Sequence, residues 1–258
     1  MPTLQEIRAA KARRSLLRFT EYTNPLYERA QHHEQIAAKL EAVERGEIDR
    51  LMIFMPPRHG KSELASKRFP AWCLGRNPQM QIIAASYNSD LANDFGRHVR
   101  NIVAEPEFGE IFPGVSLAPD SQAANRMNTN KGGSYVAAGV GTAVTGRGAH
   151  IALIDDPFKD REEADSERRR EVVWDWYRST LFTRLMPGGR IVLIQTRWHE
   201  DDLAGRLLEH EGDQWEVLEL PALSEDGDAL WPEWYGKDTL ERIKATICLL
   251  YTSDAADE

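Results

Sequence analysis

Short apolar runs alternate along this chain with longer stretches of helical periodicity. Residues 51–55, 81–86, 151–154, 190–195 and 215–220 are too brief for helices and read as buried strands. Between them lie helical patterns. Thr3-Leu4-Gln5-Glu6 fits a capping box that opens a first helix carrying Ile7, Leu16, Leu17 and Phe19. A second helix spans about 30–45, with Ile36, Leu40 and Val43 on one side and Gly46 as its stop. An amphipathic helix is predicted over 88–104, capped by Asn88 or Ser89. A charged helix is predicted over 161–185, stopped by Pro187-Gly188-Gly189, and a shorter one over 200–210. Residues 105–150 are rich in Gly, Pro, Asn and Ser, and strands near 126–128 and 134–140 form a hairpin through Lys131-Gly132-Gly133. Strands alternating with helices predict an α/β fold: a mostly parallel central sheet with helices on both faces.

One of these junctions carries chemistry. The strand at 51–55 runs into a tight loop at 56–60, and a helix opens at Lys61-Ser62. Gly60-Lys61-Ser62 is the second half of a phosphate-binding loop, whose backbone N–H groups (Pro57, having none, shapes the turn; Arg58, His59 and Gly60 supply theirs) cradle phosphate oxygens. Lys61 then reaches the β- and γ-phosphates of ATP, and the Ser62 hydroxyl is a ligand of Mg2+. The usual pattern has Gly where this chain has Met55. Arg58, inside the loop, can pair with a carboxylate or with the γ-phosphate.

Ile151-Ala152-Leu153-Ile154-Asp155-Asp156 is an apolar strand ending in two carboxylates, as a nucleotide hydrolase needs opposite such a loop. Asp155 is assigned to the metal and Asp156 to the general base. Arg147, between Gly146 and Gly148, is placed to act as an arginine finger in its own subunit or a neighbour's. Thr196 and Arg197, at the end of the 190–195 strand, can sense the γ-phosphate and couple hydrolysis to neighbouring elements. His199 lacks any metal-ligand spacing.

Composition narrows the setting. With 258 residues, 41% hydrophobic and 28% charged, the chain is an ordinary globular one. It carries no apolar run of membrane-spanning length and no secretory signal. Cys73 and Cys248 form no metal or disulfide pattern, which fits a reducing cytoplasm. A net charge of −9 means that nucleic acid would be held by local patches or by a ring that concentrates them.

The stretches Met55 to Ser62, Ile151 to Pro157 and Thr196 to Leu203, in that order, resemble the ATPase domain of tailed-bacteriophage large terminase subunits over about 15–245. In that family the first is the Walker A loop, the second Walker B and the third the coupling motif. The resemblance implies a P-loop NTPase of the ASCE (RecA-like) kind. It also implies an adenine-side motif at 31–36, hence a nucleotide contact from Gln35. Its further implications are a motor that threads double-stranded DNA through a portal protein into a procapsid, a small terminase subunit as partner, a working ring of about five subunits, and residence in the host cytoplasm. The expected organisation is an N-terminal helical segment at 1–45, the ATPase at 46–246 and an irregular tail at 247–258, frayed or foreign to the domain. The family's nuclease domain would follow residue 245, so DNA cleavage is not expected here. A helicase of the same class would need a second RecA-like domain, for which residues after 220 are too few. A nucleotide-binding module without turnover would need only one carboxylate.

Overall fold

The structure, a computed structural model, describes residues 1–144 and 146–253, the last seven of these by backbone alone. In chain order the elements are α1 (Leu4–Arg14), α2 (Leu16–Thr23), α3 (Gln31–Arg45), β1 (Arg50–Phe54), α4 (Phe69–Arg76), β2 (Gln81–Ser86), α5 (Ser89–Ala104) and α6 (Pro106–Ile111). There follow β3 (Leu117–Ala123), β4 (Arg126–Thr129), β5 (Ser134–Gly139), β6 (Ala149–Asp155), α7 (Arg161–Asp165), α8 (Glu167–Trp176), β7 (Leu185–Gln195), α9 (Leu203–Glu211), β8 (Glu216–Glu219) and α10 (Lys237–Ser253).

Among the described residues eight strands join one sheet in the order β3-β4-β5-β2-β6-β7-β1-β8. The six from β5 to β8 pair in parallel, and β3 and β4 add an antiparallel edge. The central strands are apolar throughout because both their faces are covered. Along β1, Leu51 and Ile53 pack with α1 to α6, while Met52 and Phe54 pack with α8 and α9. Because β7 lies between β1 and β6, the loop after β1 and the acidic end of β6 flank the end of β7.

Several boundaries differ from the sequence pattern. The first predicted helix is two, broken at Ser15 (φ −135°, ψ 127°), whose hydroxyl caps α2 by accepting from the Arg18 N–H. The 161–185 helix is likewise divided at Ser166, which caps α8, and it gives way to short π and 3-10 turns before Leu185. Pro187-Gly188-Gly189 stops no helix; these residues lie within β7, beside a register shift against β6. The helix expected from 200 begins at Leu203, because Asp202 accepts from the Gly205 N–H and fixes the start there. β3, α6 and α10 were not expected. The tail predicted as irregular from 247 is helical to Ser253, with no Pro or Gly after Gly236 to interrupt the ladder; 254–258 lie outside the described residues. Among the described residues no helix is long and apolar enough to cross a membrane.

Candidate nucleotide site

After β1 the chain turns through Pro56–Gly60 and enters a helical run whose first turns are π-wound (Glu63–Arg68) before α4. Such windings recur at functional sites. Gly60 has φ +88°, and a Cβ there would lie 2.4 Å from His33 Nε2, so only glycine fits. Two rings of α3 grip the loop from behind: the Nε2–H groups of His32 and His33 both donate to the His59 carbonyl (2.9 and 3.1 Å). His33 Nδ1 accepts the Ala30 N–H. Burial, then the neighbouring His32, lowers the His33 pKa to about 4. His59 is itself pinned, its Nδ1–H donating to the Pro57 carbonyl (2.9 Å).

Lys61 turns inward. Its side chain is 7% exposed, and Nζ donates to Asp156 Oδ1 (2.8 Å) and Thr196 Oγ1 (2.9 Å). The Thr196 N–H donates to the same Asp156 oxygen (3.0 Å). One ammonium thus joins the loop, the end of β6 and the end of β7. Asp155 is buried beneath it. Ser66 donates to Oδ2 (2.5 Å), and Oδ1 has no hydrogen-bond partner. Burial, then the charge of Asp156, raises the Asp155 pKa to about 6 against the opposing pull of Lys61 and the serines.

These residues fit a hard divalent cation. A buried carboxylate oxygen without a donor lies on a carboxylate whose other oxygen is held by the Ser66 hydroxyl, and carboxylate and hydroxyl oxygens are hard ligands. Among the described residues no group of three or more His, Cys, Asp or Glu could hold a metal. One free carboxylate oxygen suits an ion such as Mg2+, which takes one or two protein oxygens and completes its shell with phosphate and water.

The remaining predicted residues are distributed unevenly. Arg58 is exposed, with φ +63°, on the outer side of the loop beside Pro57. Gln35 is exposed on α3, and the contacts of that helix with the loop come from His32 and His33 instead. Arg197 donates to buried Asp202 (2.9 Å) and lies 5.2 Å over the Phe54 ring, so it ties the end of β7 to the cap of α9. His199 Nδ1 accepts the Asp201 N–H, a local turn contact. Arg147 stands before β6, at the end of the sheet opposite Asp155. The six steps from Ala149 to Asp155 alone span roughly 20 Å at about 3.3 Å each, and Arg147 faces a groove of about 850 Å³ along β3 and β4. Ser66, His32 and His33 were missed. Ser66 could have been found from its spacing, four residues after Ser62.

Strand order and site geometry together define a P-loop NTPase fold of the ASCE (RecA-like) kind, with the phosphate-loop strand separated from the acidic strand by one other. The chain belongs to the terminase large subunit family of the T4-like-virus type, whose N-terminal family model matches residues 52–254. Among solved structures it is similar to a mutant form of the large terminase ATPase domain of a Thermus phage, at 17% identity and a TM-score of 0.55, over 86% of this chain and 91% of that one. That likeness speaks for the fold. No curated protein matches this chain in sequence.

Proposed function

We propose that this chain hydrolyses ATP with Mg2+ and that hydrolysis drives double-stranded viral DNA into a procapsid. The observation that carries the proposal is the bridge from Lys61 to Asp156 and Thr196, which joins three separate chain segments at one charged point. Backbone N–H groups of the loop and Lys61 hold the phosphates. Ser62 and Asp155 hold the metal, which when bound neutralises phosphate charge. Asp156 takes the proton of the attacking water, and Arg58 lies on the loop within side-chain reach of the triphosphate. Arg147 cannot serve its own loop from the far end of the sheet, so it acts on a neighbour's site in a ring of about five subunits. Thr196, bonded to both Lys61 and Asp156, senses the γ-phosphate, and Arg197 passes the change to α9 through Asp202. The partners are those of the family: portal, procapsid and small terminase subunit.

The decisive experiment is DNA packaging into purified procapsids by the wild type and by Lys61→Ala, read as nuclease-protected DNA together with phosphate release. DNA-stimulated phosphate release that vanishes in the variant is expected. Packaging by the variant at wild-type rate would overturn the proposal.

A further inference from the structure

We propose that Asp201 is a positioning residue for hydrolysis: by bonding Arg170 it ties the loop after β7 to the segment after β6, and so keeps Thr196 and Asp156 in register. The inference rests on the hydrolysis proposed above and names a residue that acts on that site from outside it.

Asp156 and Thr196 open two separate connections. Asp156 leads through Pro157 and buried Phe158 into α7 and α8, whereas Thr196 leads through Arg197 and His199 into α9. Beside the phosphate loop the two connections meet at the bond from the Thr196 N–H to Asp156 Oδ1 (3.0 Å). They meet again at Asp201. Its carboxylate accepts from Arg170 Nε of α8 (2.9 Å) and from Arg206 Nε and Nη2 of α9 (both 2.8 Å). Two chain segments joined at both ends form a closed circuit, in which neither end is free to shift alone.

Arg170 is held ready for this contact. Its side chain is 11% exposed, and Nη1 donates to the Ala164 and Asp165 carbonyls at the end of α7 (2.7 and 2.8 Å). The segment between Asp156 and α7 is itself braced: Glu163 accepts the Lys159 N–H, and Asp160 accepts the Glu163 N–H. A displacement at Arg170 therefore carries back towards Asp156 instead of being absorbed by slack chain. A local role does not account for Asp201. The start of α9 is capped by Asp202, and Arg206 alone supplies a nearby partner, yet a guanidinium 31 residues away completes the set. Hydrogen bonds from Arg206 and then Arg170 hold the Asp201 carboxyl down to about 2, so the bridge stays charged wherever the ATPase is assayed.

The circuit leaves nucleotide binding aside. Lys61, Ser62 and the loop N–H groups follow β1 and lie on neither connection. A reacting group misplaced by about 1 Å can cost about a hundredfold in rate. Opening the bridge thus acts on turnover and spares affinity.

The test is steady-state phosphate release by the whole chain with Mg2+ and double-stranded DNA, under ring-forming conditions, resolved into kcat and KM for ATP, with thermal unfolding midpoints alongside. Asp201→Asn, which keeps the shape and removes the charge, and Arg170→Gln should each lower kcat about tenfold or more with KM within about twofold of wild type. Arg170→Gln also removes the bonds to α7, so Asp201→Asn decides where the two differ. Asp201→Glu, which keeps the charge, should restore most of the turnover. Glu171→Gln loses a contact of the same cluster, to Arg206 (2.8 Å), but leaves the bridge intact and should turn over as the wild type does. Wild-type kcat in Asp201→Asn overturns the inference and spares the hydrolysis proposal. So does an equal loss in Glu171→Gln, or a KM that rises as the unfolding midpoint falls, since either marks the cluster as scaffold only. A wild type that releases no phosphate overturns the hydrolysis proposal as well.

Discussion

Replacing Asp156 by Asn should tighten ATP binding while abolishing turnover. In the structure Lys61 is held away from any ligand by the Asp156 carboxylate at 2.8 Å, and its side chain is only 7% exposed. A nucleotide must exchange that contact for its own phosphates. A charge-assisted hydrogen bond contributes about 1.5–3 kcal/mol; the ammonium paired with a carboxylate sits towards the top of that range, and with a neutral amide oxygen towards the bottom. The difference, about 1 kcal/mol, is released to binding, and the carboxylate's repulsion of the triphosphate goes with it. Affinity should therefore rise about five- to tenfold. Loss of the general base should lower turnover by about a hundredfold or more. Equilibrium binding of a fluorescent ATP analogue and steady-state phosphate release measure the two effects separately. Affinity that is unchanged or weaker, in a variant with wild-type circular dichroism, would refute the exchange. Retained turnover would remove Asp156 from the chemistry.

Lys61→Ala should weaken nucleotide binding by about a hundredfold or more, measured by the same fluorescence titration. Arg147→Ala should leave ATP binding intact but lower hydrolysis at least about tenfold. Mixing it with Asp156→Asn under ring-forming conditions should restore part of the activity, and a mixture as inactive as its components would argue against action between subunits. Gly60→Ala should cost about 2 kcal/mol in urea unfolding, from a positive φ and a Cβ forced against buried His33. His33, with a pKa of about 4 against 6.5 when unfolded, is protonated first in the unfolded chain. Its contribution is therefore complete above pH 6.5 and is lost as pH falls towards 4. Asp155, raised to about 6, titrates in the opposite sense over an overlapping window. The check is accordingly the difference between wild type and His33→Gln, which should grow as pH rises from about 4 to 6.5 and level off on either side of that window.

The parts of the fold legible in the sequence are those where local pattern and tertiary environment agree. Strands β1, β2 and β6 are buried on both sides, so their apolar runs leave one interpretation. An apolar run ending in two carboxylates is a common turn when alone, and the acidic end of β6 stands out because Gly60-Lys61-Ser62 follows another apolar strand upstream in the same chain. Legibility fails where a long-range contact overrides a local signal. Pro187, Gly188 and Gly189 read as a terminator, yet β7 continues through them alongside β6. Ser15 and Ser166 sit within plausible helices, but each accepts a backbone N–H three residues on and starts a new one. The histidines behind the loop could not have been assigned from sequence, since their role depends on α3 meeting a carbonyl 26 and 27 residues away. Arg147 shows the converse: its flanking glycines were legible, but which end of β6 faces the loop is a property of the sheet.

Two backbone positions explain why the site is poised as it is. Among the described residues, Arg58 and Asp156 are the only non-glycine residues with positive φ, at 63° and 45°; Arg58 lies three residues before Lys61 on the loop after β1, and Asp156, just past β6, bonds Lys61. Each such conformation costs about 1 kcal/mol or more, so each persists only where the surroundings over-determine it. For Asp156 they do. Its N–H donates to the Ile194 carbonyl on β7 and its carbonyl accepts from the Tyr87 N–H after β2, so the peptide on either side is fixed by a neighbouring strand. The twist turns the side chain back towards the loop, where Oδ1 meets both Lys61 and the Thr196 N–H. An extended residue following Asp155 would continue the strand's alternation and aim its carboxylate elsewhere. The backbone twist at Asp156 thus lets two consecutive carboxylates meet the loop and its helix from different directions, one buried against Ser66 and one bonded to Lys61.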